Sequence, residues 1–197
     1  MKKGEINTHL PVPAKPIKDI VIINNIKEYI RNNCDIKYYY LFSLGINCGL
    51  RISDLVALQV KDIDTGYISS PAYIKEQKTQ KRKRLKLNED VRSELMKWIN
   101  ENQMQANDFL FPSREGGHIK TNTVYKVLKQ IGDAQNPPIH LSTHVLRKTF
   151  ATFAYLNSGK DIAAVMKLLQ HSSQSITLRY LGLDDDREDE IIQSFHL

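Results

Sequence analysis

Histidine, arginine and tyrosine recur in this chain at offsets suited to gripping a phosphodiester and attacking it. His144 and Arg147 stand together in His-Val-Leu-Arg-Lys-Thr-Phe-Ala-Thr. On a helix, residues three apart share a face, so one imidazole and one guanidinium can reach a single anion. Guanidinium binds phosphate through two parallel N–H bonds and keeps its charge at any working pH. Leu146 and Phe150 mark the opposite, core-facing side, which puts the pair at the edge of a buried helix. Downstream, His171 in Leu-Leu-Gln-His-Ser-Ser is followed by Tyr180 in Thr-Leu-Arg-Tyr. A phenol with a pKa of about 10 is a poor nucleophile until cations stabilise its phenolate. Two arginines and two histidines would supply that stabilisation, whereas a tyrosine with no such company simply packs its ring. Far upstream, Arg51 lies in Gly-Leu-Arg-Ile-Ser-Asp-Leu. Its guanidinium can point into a cleft, pair with Asp54, or do both. Lys78, in the basic run from Lys75 to Arg84, can protonate a leaving alkoxide. Lys75, Lys81 and Lys83 compete for that task, and Lys81, Arg82, Lys83 and Arg84 suit contacts with neighbouring phosphates.

These groups are scattered over the chain, so the elements between them must bring them together. Pro11, Pro13 and Pro16 make residues 1–18 an extended arm. Asp19 caps a helix with Ile20, Ile23, Ile26 and Ile30 at helical spacing. Tyr38 to Cys48 is apolar nearly all round, as in a central buried helix, and Gly49 ends it. Ser53 is the expected N-cap of a short helix carrying Leu55, Val56 and Leu58. The period then changes. Ile63 with Tyr67 and Ile68, Ala72 to Ile74, and Leu85 to Leu87 form three short strands, with the basic run as a hairpin tip between the second and third. Asn88 caps an amphipathic helix with Val91, Leu95, Trp98 and Ile99 on one side. Phe109-Leu-Phe-Pro is an apolar plug and Gly116-Gly117 a turn. A helix runs from Thr121 to Ile131. Ser142 or Thr143 opens the helix bearing His144 and Arg147, Asp161 caps the next, and Ser173 caps the one ending near Tyr180. Residues 187–197 are amphipathic through Ile191, Ile192 and Phe195. The expected fold class is α+β, mainly helical, with a small three-stranded antiparallel sheet.

The chain has 197 residues, enough for one sizeable domain plus an arm. Its 28 Lys+Arg against 22 Asp+Glu give a formal charge of +6, which favours a polyanionic partner such as nucleic acid. Cys34 and Cys48 sit in apolar, helix-like segments without metal-ligand spacing and are expected to be reduced and buried. No site for a metal or other cofactor is expected. No apolar run is long enough to span a bilayer and the N-terminus lacks a secretory apolar core, so a cytoplasmic protein is expected.

The three sequence boxes resemble those of the tyrosine recombinase, or phage integrase, family. Gly49-Leu-Arg51-Ile-Ser-Asp54-Leu is similar to the first, His144-Val-Leu-Arg147 with its Lys-Thr-Phe-Ala-Thr sequel to the second, and Leu-Gln-His171-Ser-Ser with Thr-Leu-Arg-Tyr180 to the third. Gln170 departs from the family's usual Gly and Asp54 from its frequent Glu. The resemblance covers about residues 20–197 and implies the recombinase catalytic-domain fold over 19–186, without a separate core-binding domain, as in the short fimbrial-type invertases. It implies Tyr180 as nucleophile, Arg51 and Arg147 as phosphate clamp, His144 and His171 as hydrogen-bonding and proton-handling partners, and Lys78 as general acid. The implied activity is site-specific recombination through a 3′-phosphotyrosyl intermediate, so that a DNA segment is integrated, excised or inverted. The implied partners are duplex DNA carrying recombination sites, three further copies in a homotetramer formed on DNA from monomers, and accessory DNA-bending proteins. A bacterial or mobile-element origin is implied, with the 187–197 segment packing on a neighbouring subunit. Two other functions share parts of the pattern: relaxation of DNA by a type IB topoisomerase-like enzyme, and DNA binding without catalysis.

Overall fold

The computed structural model describes residues 14–65, 67–68 and 83–181. Nine helices are found among them. α1 (Ile20–Asn33) begins where the Asp19 carboxylate accepts the Val21 N–H at 2.8 Å, and it buries Ile23, Ile26 and Ile30. α2 (Lys37–Cys48) runs through the middle of the core, with Leu41, Phe42 and Leu44 essentially inaccessible. α3 (Ile52–Val56) and α4 (Val60–Thr65) are short. α5 (Glu89–Glu101) is capped by Asn88, whose side chain accepts the Val91 N–H at 2.8 Å. α6 (Thr121–Asp133), α7 (Thr143–Asn157), α8 (Ile162–Leu169) and α9 (Gln174–Leu181) complete the set. No helix among the described residues is long and apolar enough to cross a membrane.

The expected three-stranded sheet is overturned. The described residues hold only one antiparallel pair of two-residue strands, β1 (Tyr67–Ile68) and β2 (Lys83–Arg84), in the register Tyr67 to Arg84 and Ile68 to Lys83. The described residues are therefore mainly helical with a minimal strand pair, rather than α+β. Ile63, expected in a strand, is a fully buried residue of α4. A local cap explains the helix: the Asp62 carboxylate accepts the Gln59 N–H at 2.9 Å. Leu85 packs into the core from irregular chain beyond β2. The expected strand at Ala72 to Ile74 lies outside the described residues. Ser53 is not a cap but a residue inside α3; Arg51, in extended conformation at φ −65° and ψ 147°, is the N-cap.

Most of the described helices pack on one large core, which also takes up Leu110 and Phe111 of the apolar plug. α7 has two buried faces. Val145 and Leu146 belong to the large core, whereas Ala151 and Tyr155 join Val165, Leu169 and Leu181 in a smaller one. The contact of α2 with α7 is unusually close. A Cβ on Gly45 would lie 2.7 Å from Leu146 Cδ1, and one on Gly49 would overlap the Phe150 ring. The two approaches are one helical turn apart on each helix. Gly49 also adopts a left-handed φ of +60° that ends α2. Of the proline-containing arm, only residues 14–18 are described. Ile17 is buried there and donates its N–H to Thr149 Oγ1 of α7 at 3.0 Å, so this end of the arm is docked on the core. Residues 1–13 and the 187–197 segment lie outside the described residues.

Candidate active site

A cavity of about 510 Å³ opens in the seam between the two cores. Arg51, His144, Arg147, His171 and Tyr180 all line it, together with backbone and side chains around Leu50 to Ser53 and Gln170 to Ser172. Thus four separated stretches of sequence meet at one place. Lys78, Lys81 and Arg82 lie outside the described residues. Lys83 and Arg84 are placed in β2.

Arg147 is fixed by the backbone. One terminal nitrogen donates to the Gly49 carbonyl and the other to the Leu169 carbonyl at 2.7 Å. These oxygens belong to the C-terminal ends of α2 and α8, where the helix dipoles concentrate partial negative charge. The guanidinium thus satisfies two orphan carbonyls while remaining in the cavity wall. Burial is the main influence on Arg147 and pulls its pKa down, Tyr180 and Asp54 oppose that, and Arg51 adds to it. An arginine so placed still carries its charge at neutral pH. Arg51 differs: it is exposed at the start of α3, so its guanidinium can adjust to an incoming anion. His144 is likewise exposed, in the first turn of α7.

His171 is aimed by a turn and a threonine. α8 ends in a two-bond C-terminal motif, with the His171 N–H donating to the Met166 carbonyl at 3.0 Å and the Gln170 N–H to the Lys167 carbonyl at 3.3 Å. Gln170 takes the left-handed conformation at φ +57° that this motif requires. Nδ1 of His171 then meets Thr177 Oγ1 at 3.0 Å. The Thr177 hydroxyl is also placed to donate to the Ser173 carbonyl at 3.4 Å, an arrangement in which Nδ1–H donates to Thr177 and Nε2 keeps its lone pair. Burial, then the charges of Arg147 and Arg51, push the His171 pKa below its ordinary value. The imidazole is therefore neutral at pH 7.

The Tyr180 ring meets the His171 ring edge-on, with centroids 5.3 Å apart. Its hydroxyl is shut from solvent and has no hydrogen-bond partner of good geometry, although Arg147 is near enough to attract it. Burial raises the Tyr180 pKa, and Arg147 and Arg51 pull in the opposite direction. Burial prevails, so the phenol is protonated at neutral pH. Lys148 places its ammonium over the ring, 5.4 Å from the centroid.

Several contributors were not legible beforehand. Gly49 was readable as a helix end, but not as the acceptor for a guanidinium 98 positions away. No sequence signal marks the Leu169 carbonyl. Thr177 supports His171 only because the turn at Gln170 to Ser173 folds one onto the other. No group of three or more His, Cys, Asp or Glu among the described residues could hold a metal ion.

A family model described as the phage integrase family matches residues 18–187. The chain is 36% identical over 174 residues to the probable integrase/recombinase YoeC of Bacillus subtilis (strain 168), covering 88% of this chain and 92% of that protein. It is 32% identical over 158 residues to the tyrosine recombinase XerC of Caldanaerobacter subterraneus subsp. tengcongensis, covering 78% of this chain but 43% of that one. Among solved structures, the XerA recombinase matches with a TM-score of 0.68 at 22% identity, over 100% of this chain and 68% of that chain. The Tn1549 transposon integrase, solved with circular intermediate DNA, matches with a TM-score of 0.68 at 22% identity, over 92% and 67%. At these identities the structural matches establish the fold.

Proposed function

We infer that this chain, which belongs to the phage integrase family, is a tyrosine-type site-specific DNA recombinase in which Tyr180 is the nucleophile. One observation carries the assignment of roles: a buried phenol shares a single cavity wall with two arginines and two histidines drawn from distant segments. Arg147, already locked, and Arg51, free to adjust, take the non-bridging oxygens of the scissile phosphate, and His144 adds a further donor. Charge developing on phosphorus is met by groups that need little reorganisation.

Tyr180 Oη attacks phosphorus, and His171 Nε2 accepts the phenol proton. The Oη–P bond forms as the P–O5′ bond breaks, leaving a 3′-phosphotyrosyl link. Lys78 donates the proton that the departing 5′ oxygen needs. The 5′-hydroxyl of a partner strand later attacks the link, its proton passing to Lys78, and as the phosphodiester is restored the departing Tyr180 oxygen takes back its proton from His171. Because the covalent link keeps the phosphodiester energy, the cycle needs neither ATP nor a metal ion. Lys81, Arg82, Lys83 and Arg84 are assigned to neighbouring phosphates, making binding salt-sensitive.

Recombination requires paired sites, and we assign the active assembly as a homotetramer on duplex DNA in the cytoplasm of a bacterial cell, with residues 187–197 packing on the next subunit and DNA-bending proteins aiding synapsis. Deleting 187–197 is expected to abolish synapsis while leaving single-site DNA binding intact; unchanged synapsis removes that role. For the chemistry, the protein is mixed with a pool of short nicked duplexes with randomised centres, so that the cut fragment diffuses away. A protease-sensitive protein–DNA adduct is expected from wild type and none from Tyr180→Phe. Equal adduct from both rejects Tyr180 as nucleophile.

A further inference from the structure

Lys148 stands next to Arg147 in sequence, yet it is not among the residues lining the cavity. Its ammonium lies over the Tyr180 ring, 5.4 Å from the centroid, while the edge-on His171 ring sits 5.3 Å away. The side chain is partly buried, and burial lowers its pKa, with no carboxylate among the described residues opposing it. Desolvating an ammonium without an acidic partner is costly. The face of an aromatic ring offsets part of that cost, since its quadrupole attracts a cation. Here the ring is that of Tyr180.

The Tyr180 hydroxyl gives a second, independent indication. It is shut from solvent without a hydrogen-bond partner of good geometry, so its polar end has the attraction of Arg147 but no well-aligned hydrogen bond to fix it. Residues in contact with the faces and edges of the ring therefore contribute to its orientation. Of these, Lys148 has the directional contact that reports the ring's position, because cation–π attraction falls away as the cation leaves the face.

We propose that Lys148 is a positioning residue for Tyr180: its ammonium clamps the phenol ring against His171 and so sets where the hydroxyl meets the phosphate. This rests on Tyr180 being the nucleophile. Lys148 does not touch the reacting atoms; it acts through the ring. Displacing a nucleophile by about 1 Å can cost as much as a hundredfold in rate, so a modest clamp has a kinetic consequence.

Two measurements test the clamp. In the DNA-free protein, the Lys148 ε-methylene protons are expected upfield of ordinary lysine in nuclear magnetic resonance spectra, through the Tyr180 ring current. The shift should persist in Tyr180→Phe, which keeps the ring, and vanish in Tyr180→Leu. On the pool of nicked duplexes, Lys148→Met should form the covalent adduct about tenfold more slowly than wild type, the factor equivalent to a partly desolvated cation–π contact. Lys148→Arg, which keeps the cation over the ring, should restore the rate to within about threefold. Lys148 resonances that ignore Tyr180→Leu, or wild-type adduct rates in Lys148→Met, overturn the proposal. Should wild type itself form no adduct, the nucleophile assignment fails, while the ring-current shift still decides whether Lys148 clamps the ring.

Discussion

The two cores of this recombinase contribute differently to its cavity. The large core carries Arg51, His144 and Arg147 on elements anchored by α1, α2, α5 and α6. The small one consists of Ala151, Tyr155, Val165, Leu169 and Leu181, and it supports His171 and Tyr180. The groups proposed to bind phosphate thus rest on the larger core, and the proposed nucleophile and proton acceptor on the smaller one. Local stability follows the amount of apolar contact that an element makes. The elements that carry the proposed binding groups are therefore the more stable ones, whereas the proposed nucleophile sits on elements that open at lower cost. Arg147 bridges the halves, since its two acceptors are the Gly49 carbonyl of one and the Leu169 carbonyl of the other.

Removing the bridge should have the largest effect. Arg147→Ala takes away a buried clamp and leaves two carbonyls without their donor. Adduct formation is expected to fall by about 10²–10³-fold, as for loss of one preorganised transition-state donor. A fall of less than tenfold in single-turnover assays would mean that the halves are joined otherwise. Leu169→Ala keeps the carbonyl and empties part of the small core, for about 3 kcal/mol of local stability. Hydrogen exchange should quicken in α8 and α9 and stay unchanged in α1 and α2. Uniform quickening would show a single cooperative unit and dissolve the comparison. Gly49→Ala combines a left-handed alanine with overlap on Phe150. It is expected to cost about 2 kcal/mol and lower the melting temperature, by strain on the large-core side.

Titration sharpens the contrast further. The proton-acceptor role proposed for His171 needs its neutral form, and its pKa is held below its ordinary value by burial and by the two arginines. Adduct formation should stay level as pH falls to about 6.5 and decline only below it. His171→Gln should flatten that acid limb; an acid limb that survives unchanged belongs to another group. The smallest change is Gln170→Gly, which relieves a left-handed conformation and should add about 1 kcal/mol to stability. A loss of stability on calorimetry would mean that the Gln170 side chain holds the turn.

Most of the helical framework could be read from the sequence because its signals are local. Asp19, Asn88 and Asp161 each cap the helix that follows, with side chains accepting main-chain N–H groups. Isoleucines at helical spacing mark α1, and of the two expected openers of α7, Ser142 or Thr143, Ser142 is the N-cap. The failures came where local pattern was ambiguous. Ile63 sits in too short an apolar stretch for its period to separate helix from strand. Ser53 has a good capping side chain, but the chain leaving Gly49 turns helical two residues earlier than a serine cap there would need. At the site, residue types and spacing pointed to Arg51, His144, Arg147, His171 and Tyr180, which line one cavity, while Lys78 lies outside the described residues. Types and spacing could not supply the Gly49 and Leu169 carbonyls, the Thr177 contact or the Lys148 clamp, since each depends on how α2, α7, α8 and α9 pack.

The central claim is that Tyr180, and no other of the chain's nine tyrosines, becomes joined to DNA phosphorus. Mass spectrometry of proteolytic peptides from the trapped adduct tests it most directly. A nucleotide 3′-phosphate is expected on the peptide containing Tyr180 and nowhere else. Attachment to a different residue, or an adduct that survives in Tyr180→Phe, would contradict it.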